Sequence, residues 1–458
     1  MRIALIGPAH PYKGGGARHT TELAHRLAAA GHDVVIESWR AQYPAWLYPG
    51  QQTVEVAEGE PYPRTRRSLS WWRPDGWLAT GRRLRGFDLV AVVLLSPVQV
   101  PAYLGILAGL SRRASPRGAL RSRPPRQAGP ATVAICHNVL PHERRPGDVA
   151  LTRALLRRTG AALTHSAEQA ATARVLAPAT RVAVARMPPH LPHSHAYTER
   201  ERALPPATTR PGPPPGPAAA PRVESHPASH SCGCLTSAVL ATPARHPHQT
   251  ASGQTGLDRS GPGAGLHLLF FGIVRPYKGL DVLLHALARG PRGLTLTVAG
   301  EFWGGVAETK ALIAELGLGD RVELRPGYVA ADQIADLFAR ADALVLPYRA
   351  ATASQNGWLA HAHGVPVIAT RTGSLAEHVR DGIDGLTCEP ADVDDLVRAL
   401  ERISAPGEAA RLRSGIRELD PEPHWAAYLD VLCGLAPSAR PGGRSRIRVL
   451  PRPDRRSS

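Results

Sequence analysis

The sequence has no apolar run long enough to cross a bilayer, few cysteines and almost no lysine, and each shortage narrows what the protein can be. Its most apolar stretch, Leu94 to Leu110, is broken by Ser96, Pro97, Gln99 and Pro101, so no segment qualifies to cross a bilayer. The chain opens Met1-Arg2-Ile3-Ala4 directly on a strand pattern, without the charged and then apolar lead of a secretory signal. Five cysteines (Cys136, Cys232, Cys234, Cys388 and Cys433) form an odd, scattered set that argues against a disulfide framework and for a reducing compartment. These absences predict a cytoplasmic protein.

Lysine occurs only as Lys13, Lys278 and Lys310, so arginine carries most of the net charge of +17. Such charge suits nucleic acid, an anionic membrane or a phosphorylated ligand. Much of it lies in segment 113–126 and in the tail after Pro437, which read as solvated basic segments rather than a polyanion site. No aromatic and basic residues interleave on a predicted sheet and no reading helix is recognisable, so no specific nucleic-acid partner is expected.

Against this background two of the lysines stand in the same four-residue setting. Leu266 to Phe271 is an apolar strand pattern that breaks at Gly272 and passes Arg275-Pro276-Tyr277-Lys278-Gly279. A helical pattern of Leu280, Leu283, Leu284 and Leu287 follows. Pro11-Tyr12-Lys13-Gly14 likewise follows a strand, Arg2 to Ile6, and leads through Gly14-Gly15-Gly16 into a helix that stops at Gly31. Helix N-termini offer free N–H groups and a partial positive charge, so both loops suit phosphate. The glycines lack the GxGxxG spacing of a dinucleotide fingerprint, and a plain turn explains them equally well.

Strand, loop and helix alternate through both halves, as in doubly wound parallel sheets, which bind ligands at the carboxyl ends of their strands. In the first half, strands are predicted at Val34 to Glu37, Asp88 to Leu95, Ala131 to Cys136, Ala161 to Thr164 and Arg181 to Ala185. The Ala131 strand ends in His137-Asn138-Val139-Leu140-Pro141-His142-Glu143, where His137 can reach a substrate hydroxyl. Local backbone contacts account for His142 as well as a ligand does. The Trp71-Trp72 and Trp77 cluster reads as packing on the sheet edge or as the flank of a pocket. In the second half, strands are predicted at Leu294 to Ala299, Arg321 to Leu324, Ala343 to Leu346 and Val365 to Ala369. Ser374-x-x-Glu377 has capping-box spacing, which accounts for Glu377 without any ligand. Between the halves, 194–265 is a Pro, Ala and His-rich stretch without periodicity and is predicted to be disordered. Its Cys232-Gly233-Cys234 with His226, His230, His246 and His248 matches no common zinc spacing.

Phe271-Gly272-x-x-Arg275-Pro276-Tyr277-Lys278-Gly279, Gly327-Tyr328-Val329, Leu346-Pro347-Tyr348-Arg349, Gly364-Val365-Pro366-Val367-Ile368-Ala369 and Glu377-x4-Gly382-x2-Gly385 together resemble family 4 glycosyltransferases. The resemblance covers nearly all of 266–403. It is looser in the first half, in the Gly14 to Gly16 loop and His137-Asn138-x-x-Pro141-His142-Glu143. It implies the GT-B fold, an α/β architecture of two Rossmann-like doubly wound domains facing a central cleft. The boundaries expected are an acceptor-side domain over 1–193, a donor-nucleotide domain over 266–418, a crossover helix over 419–436 and a basic tail over 437–458.

The resemblance further implies a retaining, metal-independent transfer of sugar from a nucleotide-diphosphate donor to a glycan or lipid-linked hydroxyl, with no cofactor. Arg275 and Lys278 would hold the diphosphate and stabilise its leaving charge. His137 would contact the transferred sugar. Gly272, Gly327, Tyr328, Val329, Ser354, Gln355, Asn356, Gly357 and Glu377 would line the donor site, and Gly14, Gly15 and Gly16 the sugar or acceptor. Basic segments would permit peripheral contact with an anionic inner-membrane face. The chain departs from the family in one respect. Where most members carry a pair of glutamates separated by seven residues, this chain has Ala351 and Leu359, as in a subset with a Ser/Gln/Gly loop. Many members also place arginine where Ile273 stands. The rival expectation is a catalytically degenerate protein that binds nucleotide-sugar or glycan as a sensor or partner subunit.

Overall fold

The computed structural model describes residues 1–44, 52–54, 59–111, 129–190, 265–351 and 354–436. The arginine-rich segment 113–126, most of 194–265 with its cysteines and histidines, and the tail lie outside the described residues. The remainder forms two parallel sheets. The first contains β1 (Arg2–Ile6), β2 (Asp33–Ala41), β3 (Thr65–Ser70), β4 (Leu89–Leu94), β5 (Ala131–Cys136), β6 (Ala161–Thr164) and β7 (Arg181–Val184). The second contains β8 (His267–Phe271), β9 (Thr295–Gly300), β10 (Val322–Pro326), β11 (Ala343–Leu346), β12 (Val367–Thr370) and β13 (Gly385–Cys388).

Their strand orders, β3-β2-β1-β4-β5-β6-β7 and β10-β9-β8-β11-β12-β13, reverse direction next to β1 and β8 respectively. That reversal opens a crevice at the strand ends in each sheet, and the two PYKG loops leave from β1 and β8. Both sheets are buried on two faces, which explains the unbroken apolar runs such as Leu89–Leu94, every residue of which is buried.

Two strands were not visible in the sequence pattern. β3 reads Thr-Arg-Arg-Ser-Leu-Ser and is an edge strand, where charge is tolerated and apolar content is small. Pairing with it also carries β2 four residues past Glu37, to Ala41. β13 is only four residues long and follows the Gly382 turn. Trp71 and Trp72, just beyond β3, are 40% and 54% exposed and contact each other edge to face, so they do not pack into the sheet edge.

The C-terminal helix Glu422–Gly434 lies on the first sheet, although it follows the second domain in sequence. Its Trp425, Tyr428 and Leu432 enter the same core as Ile3, Leu5, Leu23 and Ile36. The Trp425 indole N–H donates to Pro189 O at 3.2 Å. Arg26 holds the start of the helix by binding Glu422 at 2.5 and 2.6 Å while also binding Glu22 at 2.7 Å. Trp425 is 1% exposed, and truncating so large a buried side chain leaves a cavity with few ways to collapse. Trp425→Ala is therefore expected to destabilise the fold by about 3–5 kcal/mol, measured as a fall in the denaturant midpoint.

Candidate functional site

The strand ends of both sheets surround a cavity of about 420 Å³. Its first-domain wall carries Gly14, Gly15, Gly16, His137 and Asn138, and its second-domain wall carries Gly272, Lys278 and the Gly327-Tyr328-Val329 loop. Ser354, Gln355 and Asn356 close one side, with Ala351 and Leu359 adding apolar wall where glutamates were missing from the motif. The sequence-predicted residues thus meet in one chamber, with three exceptions: Arg275, Gly357 and Glu377 are not part of its lining.

Lys278 sits on the short 3-10 turn Pro276–Lys278 between β8 and the helix Leu280–Arg289. Gly279 ends that turn at φ 67°, and a Cβ there would stand 2.1 Å from Pro347 O. Only glycine lets the turn press onto the end of β11 and aim Lys278 inward. The ammonium lies 5.2 Å above the Tyr348 ring, and among the described residues no carboxylate pairs with it. Desolvation lowers its pKa; Tyr277 opposes the shift and the Arg275 charge adds to it.

The only carboxylate lining the chamber among the described residues is Glu301, and it is already bound by Lys13. Lys13 is almost fully buried and also lies 5.0 Å over the Tyr328 ring. With Lys13 and Glu301 paired, Lys278 leaves the described lining of the chamber positive, which favours an anion. At Gly14 and Gly15 a Cβ would meet nothing within 4 Å, so the start of the helix Gly15–Ala29 opens onto free space. Gly327 to Val329 also border a neighbouring cleft of about 380 Å³ with Arg325 and Arg340.

Other side chains are already engaged in holding the chamber together. Gln355 accepts from His190 N at 3.0 Å and donates to Pro188 O at 3.1 Å, tying the second domain to the first. Asn356 donates to Phe271 O at 2.8 Å and so fixes the end of β8. The 3-10 turn Ala376–His378 has Leu375 rather than Ser374 at its N-cap position, and Glu377 pairs with Arg186 at 3.1 Å. Arg275 borders a separate cavity of about 470 Å³, where it pairs with Glu143 and lies 4.9 Å over Trp303.

His137 forms part of a buried histidine cluster that sequence reasoning missed. Its ring centroid is 5.0 Å from that of His19 and 5.1 Å from that of His165. His19 is the hub, with ring nitrogens 3.0 Å from His190 Nε2 and 3.1 Å from the Tyr428 hydroxyl. His165 Nδ1 donates to Ala185 O at 3.1 Å. Burial is the main cause that holds His19, His137 and His190 well below the ordinary imidazole range and His165 at about 4. His137 is therefore neutral, with a buried Nε2 that has no partner at the chamber wall. Nothing in the sequence signals this cluster, because its members come from four separate elements. Among the described residues no group of three or more His, Cys, Asp or Glu has metal-holding geometry.

Residues 265–405 match the family described as glycosyl transferases group 1. That match lies within the second-half domain and covers under a third of the chain. The chain is 32% identical over 193 residues to D-inositol 3-phosphate glycosyltransferase 1 of Catenulispora acidiphila, covering 39% of this chain and 46% of that protein. It is 29% identical over 192 residues to the D-inositol 3-phosphate glycosyltransferase of Mycolicibacterium smegmatis, covering 41% and 43%. The matches thus span less than half the length of these curated relatives.

Solved structures show the fold. Sucrose-phosphate synthase of Thermosynechococcus elongatus aligns with a TM-score of 0.59 at 16% identity, over 95% of this chain and 96% of that one. Anabaena Alr3699/HepE, solved with UDP and glucose, aligns at 0.55 and 14% identity, over 95% and 97%. The two sheets therefore make a GT-B fold, with two Rossmann-like domains about a cleft. No helix among the described residues is long and apolar enough to cross a membrane.

The buried histidines give the stability a defined pH dependence. Below the ordinary imidazole pKa of about 6.5 the unfolded chain binds protons that the folded cluster excludes. Stability is thus fullest above pH 6.5 and falls as the pH drops toward the folded value, about 4 for His165. In denaturation series from pH 7.5 to 4.5, His165→Gln is expected to flatten the slope by about 1.4 kcal/mol per pH unit near pH 5.

Proposed function

We propose that the protein is a retaining glycosyltransferase that moves a sugar from a nucleoside-diphosphate donor to the hydroxyl of a glycan or lipid-linked acceptor. The observation that carries this reading is Lys278, a desolvated ammonium without a carboxylate partner among the described residues, aimed into a positive chamber at the end of β8. Such a group becomes well paired only when an anion enters. Lys278 binds the diphosphate and stabilises the charge that develops as the glycosidic oxygen leaves, in the role usually given to a metal ion. Arg275 supports the same charge. The base lies beside Gly327, Tyr328 and Val329, in the cleft that Arg325 and Arg340 border. Gly14 to Gly16 lie against the sugar or the acceptor.

Retention is drawn from the resemblance to family 4 glycosyltransferases, and the shortage of nucleophiles bears only on its route. Glu301, the only carboxylate lining the chamber among the described residues, is taken by Lys13, so a covalent glycosyl-enzyme has no evident partner. The acceptor oxygen then attacks from the face the diphosphate leaves. The sugar–diphosphate C–O bond breaks, the new C–O bond forms, and the acceptor proton passes to a diphosphate oxygen. His137, neutral and with its buried Nε2 unengaged, hydrogen-bonds a sugar hydroxyl rather than supplying charge. UDP-sugars are the first donors to test, since HepE was solved with UDP-glucose. The reaction needs no cofactor, and the basic segments allow contact with an anionic membrane that presents a lipid-linked acceptor.

A second reading, a nucleotide-sugar sensor without turnover, draws on the apolar Ala351 and Leu359 in the wall. Calorimetric titration without metal, using UDP, GDP, ADP and their sugar conjugates, tests the donor site. One nucleotide is expected to bind the wild type, with Lys278→Ala weakening it by about 100-fold, the loss of a buried charge-assisted contact. Equal affinity in the variant removes Lys278 from the site. Tight binding with no transfer or hydrolysis of any sugar conjugate favours the sensor.

A further inference from the structure

Arg275 and Lys278 belong to one short loop, yet they face different cavities. What separates them is Glu143, on the loop that follows β5 in the first domain, 132 residues away in sequence. Its carboxylate pairs with the Arg275 guanidinium and draws it to the acceptor side of the cleft. The neighbouring His142 stacks on Tyr277 with ring centroids 4.5 Å apart and planes at 22°, so the two loops meet over several residues. The pairing leaves Arg275 Nε buried without an acceptor. Tyr277, His142, Asn138 and Lys13 line both cavities, so Arg275 stands next to the chamber that Lys278 faces.

We propose that Glu143 holds Arg275 in place of the donor's diphosphate, and that donor binding exchanges the carboxylate for the phosphate oxygens. The proposal rests on the nucleotide-donor reading above. Carboxylates and phosphates both match the planar guanidinium fork, but a diphosphate carries more charge and more acceptor oxygens. It can engage the Nε–H that Glu143 leaves unsatisfied. The exchange frees the Glu143 carboxylate in the acceptor-side cavity, beside Tyr12, Tyr43 and Trp303, where it can accept a hydrogen bond from an acceptor hydroxyl. Glu143 is thus a positioning residue that acts through Arg275 and makes acceptor binding follow donor binding.

The exchange predicts that removing a charged side chain from the cleft strengthens nucleotide binding, an effect that a merely structural role would not produce. UDP, GDP and ADP are titrated calorimetrically into the full-length wild type, Glu143→Gln, Arg275→Gln and the double variant. Glu143→Ala repeats the comparison should the amide disturb the loop, and thermal melts check folding. The nucleotide is expected to bind Glu143→Gln about threefold to tenfold more tightly than wild type, the competition of one half-exposed ion pair. The gain is expected to vanish on the Arg275→Gln background. Unchanged or weaker affinity in both Glu143 variants overturns the exchange, and so does a gain that persists without Arg275. Those outcomes leave the donor reading standing if the wild type binds nucleotide. Failure of all three nucleotides to bind any of the proteins contradicts the donor reading and the exchange together.

Discussion

A desolvated ammonium costs a protein free energy, and the geometry around Lys278, which has no carboxylate partner among the described residues, holds one in place. Gly279 lets the turn press onto β11, Asn356 pins the end of β8, and Tyr348 offers a ring face in place of a carboxylate. Each of these contacts is local to the second domain. An anion entering the chamber would offset that cost, which is the link between this arrangement and the proposed donor binding.

The two domains meet through contacts that run both ways across the cleft. Lys13 of the first domain binds Glu301 of the second, and Arg275 of the second binds Glu143 of the first. Each PYKG loop therefore places a cation against a carboxylate of the opposite domain. Gln355 adds two hydrogen bonds to the backbone of residues 188 and 190, and the C-terminal helix returns to the first sheet through Trp425 and Tyr428. The Lys13 pair is buried and held as well by Tyr328, whereas the Arg275 pair lies in a partly open cavity. Solvent screening makes the second pair weaker, which suits it to exchange and the first to permanence.

The histidine cluster links the chamber wall to the C-terminal helix through neutral rings. His137 faces the chamber, His19 stands behind it, and Tyr428 of the helix closes the chain of contacts. Because burial suppresses their charge, these rings give the positive chamber hydrogen-bonding capacity without further cationic repulsion.

Most of both sheets was legible in the sequence because long buried strands write apolar runs and the loops after them write glycine and proline. Ala131–Cys136, Ala161–Thr164 and Ala343–Leu346 match their expected limits, whereas the arginine-bearing edge strand β3 and the four-residue β13 left no such trace. The sequence by itself determined the alternating α/β architecture, the two phosphate-suited loops and Lys278 as the residue to examine, since periodicity and turn chemistry act over a few neighbouring residues. Only the tertiary structure decided that Arg275 faces away from Lys278, that Glu377 pairs with Arg186, and that His19, His165 and His190 gather around His137. Those outcomes depend on partners far along the chain, 132 residues for Glu143 and Arg275 and 288 for Lys13 and Glu301, which no local pattern records.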